Sequence, residues 1–349
     1  MGEMTLIVPD NYYNPSLFQP FNRIVTYRTL PDGSSYVDLQ TPWFIVEGPT
    51  FDLDSEGQES IILGCVDAIG LILPWRSVAY NDYNDFTSKL DYADDMCKAI
   101  LRENAGTLAT DTDRDLTGRL EIEPDRSQAP IIRLDGFARQ PVLDVLHDIC
   151  RASANDDTPT WLGFDVILAD EIAGTLEFRT YIGQRGSDHR SPGGSPPVLL
   201  SVESGNLSNV KVGTNYKDSS SFIYAGGPGV AGIRAIATQQ DDQLISLSPF
   251  GRREKFIDGS QLVDLEALTA LAKSELRAAR PRRTFEAQLV ETSDSIRGVH
   301  WDWGDYLTAS HRNLTYDVRV EKLAVRLTPG RGGGLIEESR ALLRGDEIV

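Results

Sequence analysis

Short β-forming runs, broken by only three stretches of helical spacing, constrain this 349-residue chain more than any single motif. Residues 23–30, 35–39, 43–47 and 60–75 are rich in β-branched and aromatic side chains and are separated by turn formers such as Pro31-Asp32-Gly33, so the chain opens as antiparallel sheet. Residues 86–104 then space Phe86, Leu90, Ala93, Met96, Cys97, Ile100 and Leu101 three or four apart, the apolar stripe of a helix that Gly106 is placed to end. Strand-like 119–124 and 131–134 lead to a second helix, with Pro141 at its first turn ahead of Val142, Val145, Leu146, Ile149 and Cys150. Strands are expected again at 160–168, 175–182, 198–203, 207–216 and 221–225, and after a glycine-rich crossing to residue 247. Residues 259–280 form the third helix, with Leu262, Leu265, Leu268, Leu271, Ala272 and Leu276 as its buried stripe and Pro281 stopping it, before β pattern resumes over 284–327. Runs of strands with isolated helices predict an α+β fold, because a doubly wound sheet would need strict alternation.

The length exceeds what one hydrophobic core serves and predicts two or three modules. Residues 1–22, rich in Asn, Pro and Tyr, read as an arm ordered by a neighbour. Residues 183–197 read as a long exposed loop, and 335–349 as a polar tail, either a short helix or disordered. No segment is apolar enough over its length to span a bilayer, and the first residues lack a secretory pattern, so the protein is expected to stay in the cell that makes it. Cys65, Cys97 and Cys150 are too sparse for a disulfide framework or a zinc site and read as buried thiols. With 52 acidic against 34 basic residues the formal charge is −18, which opposes stable binding to phosphate backbones. The same charge would keep DNA from sticking to the wall of a channel it merely passes through.

Motifs for catalysis are weak. Gly227 to Gly232 fits the spacing of a dinucleotide fingerprint, but residues 233–238 alternate like a strand and offer no helix N-terminus for a phosphate, so a loop between strands is expected. His147, His189, His300 and His311 have no metal-ligand spacing. The doublets Asp94-Asp95, Asp156-Asp157 and Asp241-Asp242 read as solvated surface in an acidic chain. The glycosylation patterns at Asn206 and Asn313 are chance matches without secretion, and neither a nucleophile elbow, a P-loop nor a Cys/His dyad is present. No cofactor, metal or catalytic residue is therefore expected. Arg252-Arg253-Glu254-Lys255 reads as a solvated turn, an ion pair within the chain, or a contact between subunits.

Residues 183–263 resemble siphophage minor tail proteins of the tail-tip hub family. The likeness lies in the order of pieces: the 183–190 loop, Gly205-Asn206-Leu207 opening a strand, Tyr224-Ala225-Gly226-Gly227-Pro228-Gly229 with Arg234 after it, then Gly251-Arg252-Arg253-Glu254-Lys255-Phe256-Ile257-Asp258 before a helix. Trp301-Asp302-Trp303-Gly304-Asp305-Tyr306-Leu307-Thr308 is similar to a hairpin common in tail hub and baseplate proteins, and residues 318–328 to the strands that follow it, with Trp303 in place of the usual aliphatic residue. The resemblance implies barrel-like antiparallel β modules with inserted helices: a first module part at 23–85, an inserted α+β module at 86–182 and a second barrel module at 183–334. It implies a homotrimeric ring at the virion tail tip, assembled in the host cytoplasm, that joins the tail tube or distal tail protein to a central fibre and passes DNA transiently. Arg252, Arg253, Glu254, Trp301, Trp303 and Asp305 are the expected subunit contacts. Two alternatives are a tail-tip adhesin that offers the 183–197 loop, Trp301 and Trp303 to a cell-wall sugar, and an enzyme using a nucleotide at 227–232 or a carboxylate pair for murein.

Overall fold

The computed structural model describes residues 1–30, 33–37, 41–53, 55, 57, 59–79, 87–153, 162–183, 185–190, 196–229, 231–262, 264–290, 292–312, 314–329 and 335–345. The chain divides into two compact units, one comprising Met1–Asn155 and Thr160–Tyr181, the other Ile182–Val349 with Asp156–Pro159.

The first unit opens with β1 (Glu3–Pro9), β2 (Arg23–Ile24), β3 (Tyr27–Thr29), β4 (Ser35–Val37), β5 (Trp43–Leu53) and β6 (Glu59–Asp67). β3 and β4 pair as a hairpin around the expected turn, of which Pro31 and Asp32 lie outside the described residues. β1, β6, β5 and β2 form a sheet in that order, with β1 and β5 antiparallel to β6. Residues 1–22 are thus not wholly an arm: Met4, Leu6 and Val8 alternate inward and join Ile45, Ile61, Leu63 and Cys65 in one core, so the segment supplies a strand. The apolar run 60–75 does not stay extended. Asp67 ends β6, accepts the Gly70 N–H at 2.7 Å and caps a short helix, α1 (Ala68–Ile72).

The same unit continues with β7 (Thr87–Tyr92), α2 (Ala93–Ala105), β8 (Leu120–Ile122), β9 (Ile131–Phe137), α3 (Val142–Ala152), β10 (Leu162–Asp170) and β11 (Thr175–Ile182). The helix expected from residue 86 begins at Ala93. Phe86 lies outside the described residues, and Thr87–Tyr92 pairs antiparallel with β9, leaving Leu90 70% exposed, so its place in the apolar stripe is a coincidence of spacing. α2 and α3 pack together, burying Met96, Ile100 and Leu101 on one and Val145, Leu146 and Ile149 on the other. β10, β11 and β8 form a small sheet in which β11 and β8 run parallel.

The second unit contains β12 (Leu199–Ser201), β13 (Leu207–Asn215), β14 (Phe222–Gly226), β15 (Ile236–Gln240), α4 (Asp242–Leu247), β16 (Glu254–Asp258), α5 (Leu265–Ala278), β17 (Arg282–Leu289), β18 (Tyr306–His311), β19 (Leu314–Pro329) and β20 (Leu335–Gly345). Six of these strands make one sheet in the order β12-β18-β19-β20-β17-β13, antiparallel except for β12 against β18. Alternate residues Leu307 and Ala309, Tyr316, Val318 and Val320, and Phe285, Ala287 and Leu289 share a core with Leu200, Leu207 and Leu343. Each fully buried Leu or Phe here stabilises by about 2–3 kcal/mol. Residues 335–345 are a strand inside this sheet rather than a free tail, because their backbone is paired on both sides, with β19 and with β17; residues 346–349 lie outside the described residues.

β14 pairs antiparallel with β15 and parallel with β16, and α5 lays Leu268, Ala272 and Leu276 against Ile223, Ala225 and Ala237 of this second sheet. α5 is shorter than the helix expected over 259–280. Gly259 donates its N–H to Gly226 O at 2.8 Å and Leu262 to Gly259 O at 2.8 Å, a turn that closes onto β14 before the helix begins. Strand also fails to run to residue 247: Asp241 accepts the N–H groups of Gln243 and Leu244, each at 3.1 Å, and starts α4.

Candidate functional site

The Trp301–Asp305 segment turns sharply ahead of β18. Gly304 has φ +94°, a conformation that glycine takes without steric cost. Its N–H donates to Val320 O at 2.9 Å and the Val320 N–H returns to Asp305 O at 3.0 Å, so the bend is tied to β19. Trp301 is 2% exposed inside the core of the six-stranded sheet, with Nε1–H donating to Ser295 Oγ at 3.2 Å. Trp303 is half-buried; its Nε1–H donates to Glu321 O at 2.8 Å, and the Arg185 guanidinium lies 3.7 Å above the ring.

Asp305 is buried and ties the bend to the 185–190 segment. Oδ1 accepts the Ser187 N–H at 2.6 Å, Oδ2 accepts the Asp302 N–H at 2.7 Å, and His189 Nε2 stands 3.5 Å from Oδ2. Burial pushes the carboxyl up, opposed by the Asp302 and Ser187 N–H groups and by His189. Gly186 leaves no room for a side chain, since a Cβ there would stand 2.0 Å from Asp305 Oδ1 and 2.6 Å from its backbone N. Arg190 pairs with Asp188 at 2.7 Å and Asp317 at 3.3 Å and covers the Tyr306 ring at 4.6 Å; its hydrogen bond holds the Asp188 carboxyl below its ordinary range. The loop expected to be exposed is therefore docked over residues 185–190, while 184 and 191–195 lie outside the described residues.

Arg252, Arg253 and Glu254 share another place, the start of β16, and all three are exposed. Arg252 stacks 4.2 Å over Phe222 and donates to Gln240 Oε1 at 3.2 Å. Arg253 donates to Tyr216 O at 2.8 Å and Lys217 O at 2.6 Å, and Glu254 accepts from the Tyr224 hydroxyl at 3.1 Å. The six expected contact residues thus divide between two sheets. Trp301 and Asp305 turn into their own chain, one face of Trp303 is covered, and the Arg252 group alone faces solvent throughout.

The glycine-rich crossing links β14 to β15 through a 3-10 turn, Ala231–Ile233, with Val230 outside the described residues. Arg234 donates to Gly226 O at 2.9 Å and Gly227 O at 2.7 Å and pairs with Asp258, holding that carboxyl low. A Cβ at Gly227 would meet Leu268 Cδ1 at 2.7 Å. These glycines admit an arginine brace and the close approach of α5, and no helix N-terminus follows them for a phosphate to sit on.

One acidic doublet and the first residue of another are not solvated, while Asp242 is exposed as expected. Asp94 and Asp95 are buried on α2 beside Lys98, whose Nζ is fully buried, donates to Pro124 O at 2.9 Å, and lies 3.5 Å from Glu123, 3.7 Å from Asp95 and 4.0 Å from Asp94. Asp94 accepts the N–H groups of Gln128 and Ala129, and Asp95 those of Arg126 and Ser127, so the carboxylates replace a missing backbone partner for the 126–129 loop. Asp241 is buried as the α4 cap, 3.2 Å from Arg280 Nε. Asp156 and Asp157 lie outside the described residues. The buried Cys97 thiol neighbours Cys150 on the facing helix; burial first, then the hydrogen bond with Cys150, pushes it well above its ordinary value. Among the described residues no group of three or more His, Cys, Asp or Glu could hold a metal, and no helix is long and apolar enough to cross a membrane.

The model of the Siphovirus ReqiPepy6 Gp37-like protein family matches residues 45–334. The chain belongs to this family. Among solved structures, the tail protein from Neisseria meningitidis MC58 is similar to this family member with 14% identity and a TM-score of 0.53, covering 93% of this chain and 97% of that one. The 43 kDa tail protein of prophage MuSo2 from Shewanella oneidensis has 11% identity and a TM-score of 0.53, covering 99% of this chain and 89% of that one. At these identities the likeness is one of fold, and it runs through nearly the whole of each chain. No curated protein matches the sequence. The expected kinship with siphophage tail proteins holds, on an α+β fold shared with phage tail proteins.

Proposed function

We propose that the chain is a structural protein of the siphophage virion, a homotrimeric hub ring at the tail tip that joins the tail tube or distal tail protein to a central fibre. The observation that carries this is the family match over residues 45–334, together with a fold shared across almost the full length of two phage tail proteins. Barrel-like modules set as wedges around an axis would leave a lumen, and a formal charge of −18 suits a wall that DNA slides past without adhering. Ring closure also gives sheet edges such as β15 and β16 a neighbour, removing sites of aggregation. The protein acts through surfaces and performs no chemistry in this account, with assembly in the host cytoplasm. The adhesin alternative loses one of its expected contacts, because Trp301 lies within the core.

Mass photometry and class-averaged negative-stain images of the purified full chain test the proposal, with a three-fold particle around a central hole as the expected result. Antibody labelling of virions should place the chain at the tail tip on the long axis. A strictly monomeric protein at high concentration, or a label elsewhere on the particle, would overturn it.

A further inference from the structure

The turn after α4 is closed by its own hydrogen bonds, yet leaves its largest apolar groups in water. Asp241 caps the helix and stands 3.2 Å from Arg280 Nε. Beyond the helix, Ser248 N–H donates to Ile245 O at 3.3 Å, Phe250 N–H to Ser248 Oγ at 3.2 Å and Gly251 N–H to Ser248 O at 3.2 Å. On this frame Phe250 is 94% exposed and Leu247 63%. A single exposed apolar side chain needs no explanation. Here, however, two guanidiniums adjoin it that have no carboxylate within ion-pair distance among the described residues. Arg252 engages the Phe222 ring, Gln240 and the Tyr224 side chain, while Arg253 clamps the carbonyls of Tyr216 and Lys217. Of the acids in these segments, Glu254 accepts from the Tyr224 hydroxyl that Arg252 also engages, and Asp218 accepts from the Asn215 amide. An aromatic anchor presented on a hydrogen-bonded turn beside pre-positioned guanidiniums has the composition of an interface hot spot.

We propose that Phe250 and Leu247, flanked by Arg252 and Arg253, form one half of the contact between copies of this chain. Charge selects that occupant. With 52 acidic against 34 basic residues, a second copy offers a mainly acidic surface to the two guanidiniums. The knob meets a different patch on the next copy, a head-to-tail contact of the kind that closes into a ring. This inference rests on the ring assembly proposed above and names the surface that makes it.

The test compares full-length wild type, Phe250→Ser, Arg252→Glu/Arg253→Glu and, as a control for losing exposed apolar area, Ile172→Ser, which is 100% exposed in the other unit. Mass photometry over a concentration series should show both knob variants assembling with a dissociation constant raised roughly 30-fold or more, the loss of about 2 kcal/mol that a hot-spot side chain carries. Ile172→Ser should assemble as wild type, and circular dichroism melts should coincide. A photo-crosslinking phenylalanine analogue at position 250 should join two copies of the chain, a readout independent of any variant's folding. Knob variants that assemble like wild type, or crosslinks to a different tail protein only, overturn the inference and leave the ring standing. A wild-type chain that never assembles overturns both.

Discussion

Lys98→Met removes an ammonium while nearly keeping the volume of the side chain that fills its slot. The wild-type Nζ donates to Pro124 O at 2.9 Å and stands between Glu123, Asp95 and Asp94 at 3.5, 3.7 and 4.0 Å. After the substitution, Glu123 keeps Arg126 and the Thr180 N–H, and the other two carboxylates keep only uncharged donors. Stranding a buried charge costs about 3–5 kcal/mol, and the backbone donors to Asp94 and Asp95 place the expected loss toward the lower end. That is a large share of a domain stability of about 5–15 kcal/mol. Urea unfolding of the full chain, with hydrogen exchange of the 126–129 amides, reads it directly.

The pH dependence gives a second, signed test. In the wild type, burial pushes the Asp95 carboxyl up, but the N–H groups of Arg126 and Ser127, the Ser127 hydroxyl and Lys98 outweigh it and hold the group below its ordinary 3.8. Asp95 therefore stabilises the fold above 3.8, and that contribution is lost as the pH falls through the lowered value. Lys98→Met removes one of the groups that hold Asp95 low, so the variant has less of this acid-sensitive stability to lose as the pH falls. The gap between the two proteins should narrow in acid. A loss under about 1 kcal/mol at neutral pH, or a gap that stays constant, would refute the reasoning.

Gly186→Ala should lift residues 185–190 off Asp305, breaking the 2.6 Å bond from the Ser187 N–H, a charge-assisted bond of about 1.5–3 kcal/mol, and trypsin should then cut faster after Arg185 and Arg190. Gly227→Ala puts a methyl group 2.7 Å from Leu268 Cδ1 and should lower stability by about 1–3 kcal/mol in thermal melts, with Leu268→Ala in the same chain relieving the clash. A thiol reagent applied to the native protein should label the half-exposed Cys150 before the buried Cys65 and Cys97, and all three at one rate in urea.

The strand-rich α+β class and the buried stripes of α2, α3 and α5 were legible because they rest on local periodicity. α1 and α4 were hidden because one aspartate in each case, Asp67 or Asp241, supplies a cap inside an apolar run that otherwise reads as strand. β7 was hidden because Leu90 falls in phase with a helix whose first residue is Ala93. Nothing local marks Asp94, Asp95 and Lys98 as buried: their burial is decided by the 123–129 segment, which the fold lays over α2. The Asp305 cradle was half visible. Gly304 announced the bend, but Gly186, remote in sequence, announces itself only when Asp305 lies against it.

The placement of β20 bears on how the molecule is made. A nascent chain that has not yet reached residue 335 has already produced β19 and β17, yet it lacks the strand that joins them. The second unit must therefore wait until translation of that segment is done before its ladder is continuous. A ribosome stall or a nonsense codon upstream leaves two raw edges in place of one seam.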